Sequence, residues 1–211
     1  MPRHLLEIDD LTPEEIGLIL DHAQNPASQQ LKGKGTALLF EKPSNRTRNS
    51  MEMAVVQLGG HPVTIRPDEV GLGKRESTGD IARTLSCYHA VIGARVFDHA
   101  TVKELADYAT VPVINMLSDA AHPLQALADL LTIKQEFGEL EGIKIAYIGD
   151  SNNVARSLAI ASGMAGMDFG VASPEGYEFS DSDTARIQKT GIEILQTRDP
   201  NEAVEGADVI Y

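Results

Sequence analysis

The chain has 211 residues, 42% of them hydrophobic, which suits one large or two small α/β domains with a real core. Its net charge of −13 argues against nucleic acid or an anionic membrane as a partner, and no apolar run reaches membrane-spanning length. Cys87, the single cysteine, excludes an internal disulfide, fits a reducing cytoplasmic setting and, lying in a helical pattern, reads as structural rather than nucleophilic.

At the start, Met1-Pro2-Arg3-His4 leads into acidic, amphipathic sequence rather than a signal peptide. Thr12-Pro13 introduces a predicted helix over residues 14–22, and the Lys-Gly-Lys-Gly stretch at 32–35 turns into an apolar strand over residues 36–40. Beyond it Met51, Ala54, Val55 and Leu58 recur at helical spacing, closed by Gly59-Gly60. Ser44 is the natural N-cap of that helix. Unpaired N–H groups and the positive end of the helix dipole, with Arg46 beside them, suit a phosphate or carboxylate. The residues alone leave a plain cap with solvated arginines equally open. Residues 41–100 carry eight Lys or Arg against seven Asp or Glu, a net +1, so the remainder holds −14. A locally neutralised segment in an acidic chain is what a small anionic substrate needs.

The alternation continues. Residues 63–65 form a predicted strand, Ile81, Leu85 and Tyr88 mark a helix, residues 90–94 a strand, Val102, Leu105 and Ala106 a helix, and residues 113–116 a strand. Arg95 is delivered at a strand end, with a salt bridge to Asp98 as its structural alternative. A long helix is expected over residues 123–137, with Pro123 at its first position, His122 at its cap and Gln125 in its first turn. The helix dipole disfavours a charged imidazole there, which leaves a neutral donor able to polarise a carbonyl, although a lone capping histidine is by itself more often structural.

The polar stretch 139–142 marks a domain boundary, giving domains 1–138 and 139–211. Strands are then predicted at 144–148, 169–172, 192–195 and 209–211, with helices at 154–164, 184–189 and 200–204. The turn Gly149-Asp150-Ser151-Asn152-Asn153 lacks the G-x-G-x-x-G fingerprint, so a nicotinamide cofactor is not expected. The fold class is α/β, with two consecutive doubly wound parallel sheets, the second expected to be incomplete.

Phe40-Glu41-Lys42-Pro43-Ser44-Asn45-Arg46-Thr47-Arg48 resembles the F-x-x-x-S-T-R-T-R signature of the transcarbamylases, the aspartate/ornithine carbamoyltransferase family. The departure is Asn45 in place of Thr, and an asparagine still donates to a phosphate oxygen. His122-Pro123-Leu124-Gln125-Ala126-Leu127-Ala128-Asp129 matches the family's H-P-x-Q-x-L-x-D, and Gly149 to Asn153 is similar to the G-D-x-N-N segment of its ornithine-using members. Leu72 to Asp80 is similar to the L-G-x-x-E-S-x-x-D loop near the intersubunit site, with Ile81 following where Thr is usual.

The resemblance implies transfer of the carbamoyl group from carbamoyl phosphate to the δ-amine of ornithine, giving citrulline and phosphate, in arginine biosynthesis or catabolism. Ser44, Asn45, Arg46, Thr47 and Arg95 would hold the phosphate, Arg95 and His122 would polarise the carbonyl, Gln125 would meet the carbamoyl amide and Asn153 the α-amino and carboxylate end of ornithine. Lys74 and Arg75 would reach a neighbour's phosphate in a homotrimer. No metal or organic cofactor is implied. The alternatives are another amine, such as putrescine or an acylated ornithine, and an inactive anion-binding fragment. Because residues 207–211 read as an unfinished apolar strand, the 211 residues alone are expected to bind phosphate-like anions but not to make citrulline at an ordinary rate, on the order of 1 s⁻¹.

Overall fold

The computed structural model describes residues 2–25, 29–71 and 75–211. After a 3-10 turn at Ile8–Asp10 come α1 (Pro13–Gln24), β1 (Gly35–Phe40), α2 (Asn45–Gln57), β2 (His61–Ile65), α3 (Pro67–Val70), α4 (Thr78–Tyr88), β3 (His89–Arg95), α5 (His99–Tyr108) and β4 (Val113–Leu117). Then follow α6 (Pro123–Phe137), β5 (Lys144–Ile148), α7 (Asn153–Met164), β6 (Asp168–Ala172), α8 (Asp181–Gln188), β7 (Leu195–Thr197), α9 (Pro200–Val204) and β8 (Val209–Ile210). Contacts divide them into two compact units, Met1–Asp10 with Asn25–Ala121 and Leu11–Gln24 with His122–Tyr211. None of the described helices is long and apolar enough to cross a membrane.

The first unit is a parallel sheet of order β2-β1-β3-β4. Ala37, Leu38 and Leu39 of β1 are almost fully buried, as expected for a central strand covered by helices on both faces. Ile92 and Ala94 of β3 join Leu39, Ile81, Leu85, Val102, Leu105 and Val113 in one core cluster. Gly93 is small for a reason: a Cβ there would lie 3.0 Å from Met116 Sδ and 3.1 Å from Leu38 Cδ2. The N-terminal arm extends this sheet, with Leu5 N donating to Val113 O at 2.9 Å and Asn115 N to Leu5 O at 2.8 Å. The chain leaves β1 towards β2 on one side and returns to β3 on the other, so the topological switch lies between the carboxyl ends of β1 and β3, where ligands of such sheets bind.

The second unit is a parallel sheet of order β7-β6-β5-β8, with its switch at the carboxyl end of β5. Phe169, Val171, Ile145 and Ala146 fill its middle, and α7 buries Ala155, Leu158, Ala159, Ile160 and Ala161 against it. Helix α1 belongs here although it precedes the first sheet in sequence: its buried Ile16 and Leu20 share the unit with α6, whose Lys134 Nζ donates to Asp21 Oδ1 at 2.8 Å.

One local expectation is corrected. The strand expected at 192–195 is β7 at Leu195–Thr197, because the ladder to β6 pairs Gly170 with Leu195, Val171 with Gln196 and Ala172 with Thr197. Ile192 instead packs against α7, where a Cβ on Gly163 would come 3.1 Å from Ile192 Cγ1 and 1.9 Å from Thr190 Oγ1. Tyr88, one of the three residues that marked α4, is its last residue and 77% exposed, and Ala82 takes the buried position beside Ile81. The sequence reading also missed α3 and the 3-10 turn.

Candidate active site

In the first unit the turn leaving β1 and the end of β3 are tied together. Glu41 N and Lys42 N donate to Arg95 O at 2.8 and 3.3 Å, and Phe97 N donates to Glu41 Oε2 at 2.9 Å. Ser44 is the N-cap of α2: its backbone is extended, at φ −157° and ψ 125°, and its hydroxyl accepts from Thr47 N at 3.2 Å. Asn49 Nδ2 donates to Asn45 Oδ1 at 3.0 Å, which occupies the Asn45 carbonyl and leaves its NH2 as the end able to donate to an anion.

Arg95 reaches across from β3, its Nη1 donating to Thr47 Oγ1 at 3.4 Å. Its Nε is buried and makes no hydrogen bond. Asp98 does not neutralise it; that carboxylate caps α5, accepting from Ala100 N at 2.8 Å. Among the described residues neither Arg95 nor Arg46 is ion-paired, whereas Arg48 is, Nε to Glu52 Oε1 at 2.9 Å. Burial, and then the neighbouring Arg46, push the Arg95 guanidinium below its ordinary range. A half-buried cation beside a second cation, over a helix N-terminus, is complementary to an anion. Ser44, Asn45, Arg46, Thr47 and Arg95 are thus brought together at one sheet edge.

The second unit carries the other candidates. Pro123 opens α6 and His122 precedes it with φ −137° and ψ 66°, making no side-chain cap bond, so its imidazole is not the helix cap. Its backbone N instead donates to Ser157 Oγ on α7 at 2.9 Å. Gln125 Nε2 donates to Asp129 Oδ1 at 2.9 Å. At the turn after β5, Asn152 is the cap of α7, its Oδ1 accepting from Val154 N at 2.9 Å and Ala155 N at 3.3 Å, and Asn153 is the first helical residue. Of the loop candidates, Lys74 lies outside the described residues. Arg75 is exposed, its N donating to Gly71 O at 2.8 Å.

Residues 3–135 match the family described as "Aspartate/ornithine carbamoyltransferase, carbamoyl-P binding domain", and residues 141–211 match "Aspartate/ornithine carbamoyltransferase, Asp/Orn binding domain". The chain belongs to the aspartate/ornithine carbamoyltransferase family. It is 44% identical to the ornithine carbamoyltransferase of Methanocaldococcus jannaschii, over 99% of this chain and 72% of that protein. With the ornithine carbamoyltransferase of Acidothermus cellulolyticus the identity is 48%, over 100% of this chain and 71% of that protein. The solved ornithine carbamoyltransferase of Pyrococcus furiosus superposes with a TM-score of 0.94 at 45% identity, covering 99% of this chain and 71% of that one.

Both carbamoyltransferase signatures fall on strand-to-helix turns, where the sequence reading put them. Two supporting residues were missed. Ser157, 2% exposed, was masked by the apolar run of α7 around it. Asp129 was legible only as the last position of a signature, although its spacing of four from Gln125 put the pair on one helix face.

Proposed function

We propose that this carbamoyltransferase-family chain moves the carbamoyl group of carbamoyl phosphate to the δ-amine of ornithine, giving citrulline and phosphate. What carries the reading is the convergence of Ser44, Thr47 and Arg95 at the switch point of the first sheet, with two arginines and no carboxylate ion-paired to either among the described residues. Relatives named ornithine carbamoyltransferase, at 44–48% identity across the chain, favour ornithine over putrescine or an acylated ornithine as acceptor.

Ser44, Asn45, Arg46, Thr47 and Arg95 hold the phosphoryl oxygens, Arg95 and His122 polarise the carbamoyl carbonyl, Gln125 accepts from the carbamoyl NH2 and Asn153 meets the α-amino and carboxylate end of ornithine. The δ-amine attacks the carbonyl carbon. A C–N bond forms as the C–O bond to phosphate breaks, the electron pair leaves with phosphate, and the proton shed by the amine passes to the departing phosphate. The chain's contribution is placement of the reactants and stabilisation of charge developing on oxygen, without a covalent enzyme intermediate.

Arg46→Ala is expected to weaken inorganic phosphate and carbamoyl phosphate by roughly ten- to a hundredfold, since a charge-assisted hydrogen bond contributes about 1.5–3 kcal/mol. Calorimetry measures it, and an unchanged affinity would sink the anion assignment. A place in arginine metabolism, a cytoplasmic location and a homotrimer with Lys74 and Arg75 at a neighbour's site belong to the same reading, supported by the signatures and, for location, by the lone cysteine. Light scattering should then report three times the 22.7 kDa chain mass, and a clean monomer would count against the trimer.

A further inference from the structure

We infer that Asp129 is a positioning residue for carbamoyl transfer: it holds the Gln125 side chain with its NH2 turned inward, so that the carbonyl oxygen is the end offered to the carbamoyl NH2. The inference rests on the reading above, in which Gln125 meets the carbamoyl amide.

A primary amide has a donor end and an acceptor end of almost the same shape, and nothing in glutamine itself decides which one faces the substrate. The carbamoyl NH2 is a donor. Facing it with a second NH2 would leave both groups unsatisfied, whereas facing it with a carbonyl oxygen makes a hydrogen bond. Here the choice is made one turn along α6. Gln125 Nε2 donates to Asp129 Oδ1 at 2.9 Å, and an ionised carboxylate can only accept, so Gln125 Oε1 is the end left over.

The Tyr211 side chain lies beside the Asp129 carboxylate, and the Tyr211 ring stacks on Tyr147 with centroids 5.1 Å apart and planes 13° from parallel. Tyr147 in turn lies beside Asn152, the cap of α7. Burial pushes Asp129 above the usual carboxylate range, with the Gln125 and Tyr211 side chains opposing that shift.

A glutamine–aspartate pair four residues apart also simply steadies a helix, so the test must separate orientation from stability. Acetyl phosphate carries a methyl group where carbamoyl phosphate carries NH2, and inorganic phosphate has neither. Affinities of the three are compared by calorimetry in the unmodified protein, Asp129→Asn, Gln125→Ala and the double variant. The expected result is a loss of about five- to tenfold for carbamoyl phosphate in Asp129→Asn, with acetyl phosphate and inorganic phosphate within about twofold, and no further loss from Asp129→Asn once Gln125 is alanine. Should Asp129→Asn not fold, Tyr211→Phe removes the hydroxyl beside the carboxylate and is expected to give a smaller loss with the same selectivity. Equal weakening of all three ligands, or an unchanged preference for carbamoyl phosphate in both Asp129→Asn and Tyr211→Phe, overturns the inference. An unmodified protein that binds phosphate but does not prefer carbamoyl over acetyl phosphate overturns instead the role given to Gln125, and this inference falls with it.

Discussion

Arg95→Met is expected to lower kcat/KM for citrulline formation by about 10³-fold while leaving the melting temperature unchanged or raised. The loss follows from where the guanidinium sits. It lies at the end of β3, pinned by the bonds from Glu41 N and Lys42 N to its own carbonyl, with its side chain bonded to Thr47 Oγ1. Removing one preorganised donor to an oxygen that gains charge in the transition state costs roughly 10²–10³ in rate. Loss of a charged hydrogen bond to bound phosphate adds to that in kcat/KM. The stability half of the expectation has the opposite sign. In the unliganded protein Arg95 is partly desolvated and beside Arg46, and both effects disfavour its charge, so a neutral side chain of similar length removes a cost of folding. Steady-state kinetics paired with thermal unfolding read both halves. A variant with full activity would remove Arg95 from the site, and one that is inactive and much less stable would make it structural.

Phe169→Ala is expected to destabilise the second unit by about 3–5 kcal/mol, the range for deleting a fully buried aromatic side chain. Phe169 is 2% exposed on β6, between β5 and β7, and its ring lies 6.3 Å from that of Tyr147. The deletion removes the transfer free energy of the ring and leaves a cavity that strands hydrogen-bonded on both sides cannot collapse to fill. For a chain of this size the loss corresponds to a fall of about 10 °C in melting temperature. Urea unfolding gives the same quantity directly, and a cost below about 1 kcal/mol would mean that the ring is not in a packed core.

Much of the fold was legible because its rules are local. The helix over 123–137 was read to the residue, since Pro123 can only begin a helix and Gly138, at φ +85°, suits ending one. The helix over 200–204 and the strand over 144–148 were equally plain. Residues 192–195 were not, because apolar character is shared by a strand in a ladder and by a segment packed on a helix, and only the pairing of β6 with β7 separates them. Tyr88 shows a related limit: helical spacing marked α4, but the neighbouring elements decide how wide its buried arc is, and Tyr88 is exposed.

The same division runs through the candidate site. The sequence by itself determined that a strand-to-helix turn starts α2, that Ser44 caps it, and that His122, Gln125 and Asn153 stand at helix starts, because capping and strand-to-helix turns depend on residues within a few positions of one another. Only the tertiary structure decided that Arg95 reaches Thr47 across 48 residues of chain, that Asp98 does not pair with it, that Ser157 holds the backbone of His122 and that α1 packs with the second sheet. Each of those depends on which strand lies beside which. Strand order is set by burying the summed apolar faces of the whole chain, a long-range balance that no short stretch of residues contains.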